Sequence, residues 1–257
     1  MPLQNRVTPW GALEAVTVRY PTGTAAFGNR GTLHNSHREI VRSWQSKAWL
    51  ACKLEVSRTR NVQREDNRAF NGRKRIVMKA GHYTELFFLD QFVATAAGHR
   101  PCACCRHSEY RAFLNAWTRA NPRVEPWTAG AIDERLHAER FVATGQSIGG
   151  SVWQEPLSEL PEGAFVSLAS EEETVASRRA WLNWRGHLLR WSHTGYCAAM
   201  PHGDVKCRVV LLTPPSLVAT MRAGFVPGPV DESASALLLA GRALKRKVCD
   251  ECEEIGV

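Results

Sequence analysis

Residues 83–110 read YTELFFLDQFVATAAGHRPCACCRHSEY, and the reading of this stretch decides the architecture around it. Glu85 to Leu89 forms a short apolar run of strand length. Asp90 then stands at a helix start, where a carboxylate satisfies the unpaired N–H groups of the first turn. The alanine-rich helix that follows stops at Ala97-Gly98, because glycine accepts the backbone that ends a helix sharply, and Pro101 prevents it from resuming. Beyond that exit lie Cys102 and Cys105 in CxxC spacing. Two thiols so spaced after a rigid turn can chelate one metal ion.

Upstream of this core stretch, Ala15 to Tyr20 alternates apolar and polar residues and predicts a strand; Trp49 to Val56 predicts another, and Ile76 to Met78 a third. Between the last two lies SRTRNVQREDNRAFNGRKR, residues 57–75, almost free of core residues. Its cations Arg58, Arg60, Arg64, Arg73, Lys74 and Arg75 suit a hairpin tip or loop that meets a polyanion. Downstream, Ser108 to Ala120 places Tyr110, Phe113, Leu114 and Trp117 on one helical face, and Ala129 to Phe141 fits a second helix. Gly145 to Gly150 reads as a joint. From Ser151 the pattern is rich in strands: Phe165 to Leu168, Ala180 to Trp184, His187 to Trp191 and Val205 to Leu212, with Trp184-Arg185-Gly186-His187 as a tight turn. Ser216 to Ala223 and Glu232 to Arg246 close the chain as helices. The expected fold is therefore α+β, with a zinc-knuckle-like N-terminal half over residues 1–145 and a β-rich half with a final helix over 146–257.

The chain has 257 residues, 44% of them hydrophobic, and a formal net charge of +8. The excess of cations favours a polyanionic partner, with DNA first. The opening MPLQNRVTPWGALEA has neither the basic start nor the apolar run of a secretory leader, and no stretch approaches membrane-spanning length. A cytoplasmic protein with no membrane partner is expected. Eight cysteines in that setting read as metal ligands or redox groups before disulfides.

Zinc needs four ligands, and Cys102 and Cys105 supply two. The second pair is open among His34 with His37, Cys52, and Cys249 with Cys252, while Cys104 is placed to substitute for either neighbour. Cys197 and Cys207, in the strand-rich region, read as core cysteines. Phe87-Phe88, the alanine-rich helix and Ala97-Gly98-His99-Arg100-Pro101-Cys102-Ala103-Cys104-Cys105 resemble the second half of the Ada-type metal-binding domain of methylphosphotriester repair. Gly28-Asn29-Arg30-Gly31-Thr32-Leu33-His34 is similar to the strand that precedes the first ligand pair of that family. The resemblance covers about residues 27–106. It implies a zinc module that sits on DNA, but the first cysteine pair, with its methyl-acceptor thiol, has no counterpart here.

Outside the knuckle, Asp133-Glu134-Arg135-Leu136-His137-Ala138-Glu139-Arg140 is the densest polar constellation. On a helix Asp133 and His137 share a face, so a carboxylate could orient an imidazole that activates water, with Arg140 holding a phosphate. An exposed, salt-bridged helix face is the plain alternative. Glu85, beside two phenylalanines, is a further candidate acid, and Arg100 a further DNA contact. Trp44, Trp127 and Trp191, beside basic or turn residues, suit stacking on bases. These features point to an enzyme that hydrolyses damaged or modified DNA, in the manner of a glycosylase excising a base, with Asp133, His137 and Glu85 as catalytic candidates. A non-catalytic, zinc-stabilised DNA-binding regulator is the alternative, and a metal-dependent nuclease a third reading.

Overall fold

In a computed structural model of the chain, residues 2–17, 25–54, 76–143, 153–168, 179–205 and 208–240 are described. The fold is α+β. Among the described residues, two six-stranded sheets carry five helices. The first sheet uses β1 (Arg6–Val7), β2 (Leu13–Glu14), β3 (Ala26–Asn29), β4 (Leu50–Cys52), β5 (Leu86–Phe88) and β6 (Arg100–Pro101) in the order β2-β1-β5-β3-β4-β6. Its centre is antiparallel, β3 lying between β4 and β5, whereas β6 joins β4 in parallel.

Helix α1 (Gln91–Ala96) sits between β5 and β6, and both of its ends are made by local chemistry. Asp90 caps the N-terminus by accepting from the Val93 N–H at 2.9 Å. At the other end the His99 N–H reaches Ala94 O at 2.9 Å and the Gly98 N–H reaches Thr95 O at 2.8 Å. This paired closure requires a left-handed residue, and Gly98 has φ of +78°. A side chain there would also collide with Arg140, whose Nε would lie 2.7 Å from the added carbon.

Helix α2 (His107–Ala120) buries Phe113, Ala116 and Trp117, the one-face spacing that the sequence predicts, and α3 (Ala129–Ala143) buries Ile132 and Leu136. The second sheet contains β7 (Gln154–Glu155), β8 (Phe165–Leu168), β9 (Trp181–Trp184), β10 (His187–Ser192), β11 (Gly195–Pro201) and β12 (Val209–Leu211), ordered β11-β10-β9-β8-β12-β7. Arg185 and Gly186, at φ of 47° and 74°, make the tight β9–β10 turn. Helices α4 (Pro215–Arg222) and α5 (Glu232–Leu239) pack beside α2 and β11 respectively.

Several expectations change. The predicted strand from Ala15 is replaced by the two-residue β2, with residues 15–17 irregular and 18–20 outside the described set. Ile76 to Met78 forms no strand, because Met78 turns at φ of 56° while its N–H donates to the buried Glu85 Oε2 at 2.7 Å. Val205 to Leu212 contracts to β12. Strand β11 was not anticipated, and it places Cys197 outward and exposed rather than in the core, between the buried Tyr196 and Ala198 on an edge strand. The basic run 57–75, the 145–150 joint, Cys207 and residues 241–257 lie outside the described residues.

One hydrophobic core serves both sheets. Phe88, Phe92 and Val93 share it with Phe165, Leu189 and Leu217, and Phe92 meets Trp184 edge-on with ring centroids 5.3 Å apart. Fully burying a side chain of this size stabilises by about 1.5–3 kcal/mol, so the helix at the centre of the knuckle is also an anchor for the second sheet.

A polar latch reinforces the junction. The buried Asp90 Oδ2 accepts from Tyr196 Oη at 2.9 Å and from the Asp231 N–H at 3.1 Å. Burial raises the Asp90 carboxyl to about 6, against these hydrogen bonds, which favour the anion. A carboxyl raised on folding contributes stability that is full below its unfolded value and lost as pH rises through its folded one. Between about pH 4 and pH 6 the Asp90 contribution is therefore expected to fall, by on the order of 2–3 kcal/mol. Urea unfolding across that window should show the fall in the wild type and its absence in Asp90→Asn; parallel pH profiles would refute the assignment.

Candidate metal centre

Strand pairing builds the thiol cluster. In the β4–β6 register Leu50 faces Arg100 and Ala51 faces Pro101, so the next residues along each strand, Cys52 and Cys102, come side by side. The Cys102 N–H donates to Ala51 O at 2.9 Å and secures the approach. The chain then turns, with the Arg106 N–H on Cys102 O at 3.0 Å, and this turn returns Cys105 to its partner. The sulfurs of Cys52, Cys102 and Cys105 all lie within 4.8 Å of one another. The Lys53 N–H points at Cys105 Sγ, 3.4 Å away.

The cluster is sheltered by apolar side chains. Phe27 packs with Cys52 and Cys102, and Leu50, Leu54, Tyr83 and Phe87 close around them. Within this group the Cys102 thiol is drawn well below its ordinary range, chiefly by hydrogen bonds from the Cys105 and Cys52 thiols. The same sharing pushes Cys105 up to about 11 and Cys52 well above its usual value. A set of thiols that already concentrates negative charge on one sulfur is suited to a soft cation, because thiolates are the ligands that such metals prefer. Sulfurs around a tetrahedral zinc, at Zn–S of about 2.3 Å, stand about 3.8 Å apart, a spacing that falls inside the 4.8 Å within which these three sulfurs lie.

The other proposed ligands lie elsewhere. Among the described residues no histidine or carboxylate joins the three sulfurs. His34 is buried, with Nδ1 2.6 Å from Thr84 Oγ1 and Nε2 3.2 Å from Lys79 O, so both ring nitrogens are engaged in holding the 31–34 segment to its neighbours. His37 is in an exposed turn made by Asn35, and Cys104 is exposed beside the cluster. Cys249 and Cys252 lie outside the described residues.

The catalytic candidates are not gathered into one site. Asp133 gives both oxygens to Arg100, from Nε and Nη2, each at 2.8 Å, in an ion pair whose side chains are 5% and 8% exposed. His137 lies edge-on to Trp44 with ring centroids 4.4 Å apart, and burial holds its imidazole below the usual value. Glu85 is committed to the Met78 turn.

Two of the expected DNA contacts are interior groups. Arg100 is buried by its pairing with Asp133, and Arg140 donates to Gly98 O at 3.0 and 2.6 Å and to Lys47 O at 3.0 Å. Their planar forks match these acceptors better than a mobile phosphate would, and burial draws Arg140 down to about 9. Arg58, Arg60, Arg64, Arg73, Lys74 and Arg75 lie outside the described residues. Trp127 donates from Nε1 to Asn121 O at 2.7 Å, and Trp191 meets His193 at 4.7 Å, so these rings serve different neighbourhoods.

A cationic stack that local sequence patterns do not reveal lies at the starts of the two strands that carry Cys52 and Cys102. The Arg30 and Arg140 guanidinium carbons lie 3.7 and 4.2 Å from the Trp49 ring centroid. Arg30 Nε donates to His99 Nε2 at 3.2 Å, which fixes the proton of the imidazole on Nδ1. Burial, then Arg30 and Arg140, keep His99 neutral. Trp49 immediately precedes β4 and His99 immediately precedes β6, so this stack aligns the two strands that carry Cys52 and Cys102. The sequence clue is that Arg30, Trp49 and His99 each adjoin a strand of the knuckle, whereas Arg140 comes from α3.

Arg106 was likewise overlooked. It bonds to Gln91 Oε1 and donates to Pro227 O at 3.1 Å, tying the cysteine loop to the C-terminal half. Comparison of the whole chain with protein-family models, with curated proteins and with solved structures finds no match.

Proposed function

We propose that the chain is a DNA-binding protein in which zinc, held by Cys52, Cys102 and Cys105, fixes the N-terminal sheet to helix α2. The observation that carries this reading is the convergence of the three thiols from β4 and the β6–α2 loop. A zinc ion there would supply a structural crosslink between segments fifty residues apart, which thiolate ligation favours over reactive chemistry when the sulfurs are sheltered. The excess of cations supports a polyanionic partner, and the resemblance of residues 27–106 to the Ada-type module supports DNA as that partner.

Binding without catalysis fits better than base excision. A general base must offer an oxygen or nitrogen to water, and Asp133 spends both of its oxygens on Arg100. Glu85 spends an oxygen on a backbone N–H inside the fold.

Full-length protein would be assayed for bound metal and titrated into fluorescent duplex DNA, as purified and after dialysis against a chelator. About one zinc per chain is expected, with chelation weakening DNA binding roughly tenfold or more, the effect of losing about 1.4 kcal/mol, and zinc restoring it. Metal-free protein that binds DNA equally well would overturn the role of zinc. Absence of duplex binding at low salt would overturn the DNA reading.

A further inference from the structure

Helix α2 leaves the thiol cluster directly, and one of its faces is left exposed among the described residues. Phe113, Ala116 and Trp117 point inward. His107, Arg111, Asn115 and Thr118 are exposed and follow one another at helical spacing along the opposite side. The side chains of Arg111 and Asn115 have no hydrogen-bond partner among the described residues. The carboxylate of the helix, Glu109, is already committed to Ser108 Oγ at 2.8 Å, to Arg106 at 3.6 Å and to Lys53 at 3.7 Å. The outward face of α2 is thus a row of donors with its one acidic neighbour neutralised. Helix α3 differs, since its exposed Glu134 faces solvent with Lys47.

We propose that this face of α2 enters the major groove of duplex DNA and that Arg111 and Asn115 read base edges there. The inference rests on the DNA-binding reading above. At 1.5 Å per residue, His107 to Thr118 spans about 16 Å, which matches roughly five base pairs along the groove. Arginine pairs bidentately with guanine O6 and N7, and asparagine with adenine N6 and N7, so the two free side chains at the middle of the row are of the types that distinguish bases. The B-form major groove admits a helix, whereas the deep, narrow major groove of A-form RNA does not. The candidate metal centre, at the start of α2, and the Arg119 Nη2 bond to Ala223 O at 2.7 Å, near its end, hold the helix at both termini.

The test begins with zinc-replete full-length protein and a pool of duplexes randomised over a short window. Bound sequences are recovered, and the preferred duplex is compared with a scrambled one for the wild type, Arg111→Ala, Asn115→Ala and a control at a distant exposed cation, Arg208→Ala. Zinc content and circular dichroism verify that each variant is folded. The expected result is a short preferred site in the wild type, kept by Arg208→Ala, with discrimination reduced roughly tenfold in each α2 variant while binding to the scrambled duplex changes little. Duplex RNA should compete poorly. Unreduced discrimination in both α2 variants, binding with no sequence preference, or equal competition by duplex RNA would overturn the role of α2 and leave DNA binding itself standing. Failure of the wild type to bind any duplex would remove both.

Discussion

Replacing Asp133 with alanine is expected to destabilise the protein by about 3–5 kcal/mol, because it strands the Arg100 guanidinium in the interior. The pair is bidentate and nearly sealed from solvent, so water offers little compensation. Asp133→Asn keeps the shape and one acceptor oxygen and should lose less. The double replacement Arg100→Met with Asp133→Leu removes both charges and should recover much of the stability lost by the single alanine variant, since an apolar pair avoids the desolvation penalty. Urea unfolding of the four proteins measures this directly. A different pattern, in which Asp133→Asn folds with full stability but loses a DNA-processing activity, would restore Asp133 as a catalytic base.

Metal loss should have the second large effect. At free zinc a thousandfold above its dissociation constant, ligation adds about 4 kcal/mol to the stability of the folded state. Chelation, or Cys102→Ser, is therefore expected to lower Tm by about 10 °C for a domain of this size. The Cys102→Ser variant should then be insensitive to added zinc. Cys197→Ser, on the exposed face of β11, should behave as the wild type and retain its zinc response. Equal thermal stability of loaded and chelated wild type would mean that the three thiols close the β4–β6 seam without a metal.

What the sequence determined by itself was local. The Asp90 cap, the Gly98 exit, the tight turn at Arg185-Gly186 and the buried faces of α2 and α3 each depend on residues within a few positions of one another, where steric and hydrogen-bonding preferences act without reference to the rest of the chain. The CxxC pair belongs to this class, and so does the α+β composition.

The tertiary structure decided the partners across long separations. Cys52 joins Cys102 because β6 pairs in parallel with β4, a register that no local pattern announces. His34, equally plausible from its residue type, is taken by Thr84 and Lys79 O. Asp133 and His137 share a helix, yet the packing of α3 against β6 gives the carboxylate to Arg100 and the imidazole to Trp44. Edge strand β11 could not be separated from its turn because its pairing energy comes from β10 and its burial from α5. In each case the side chain has several acceptable fates, and the one realised depends on which partners the closing of the sheets on their common core brings within reach.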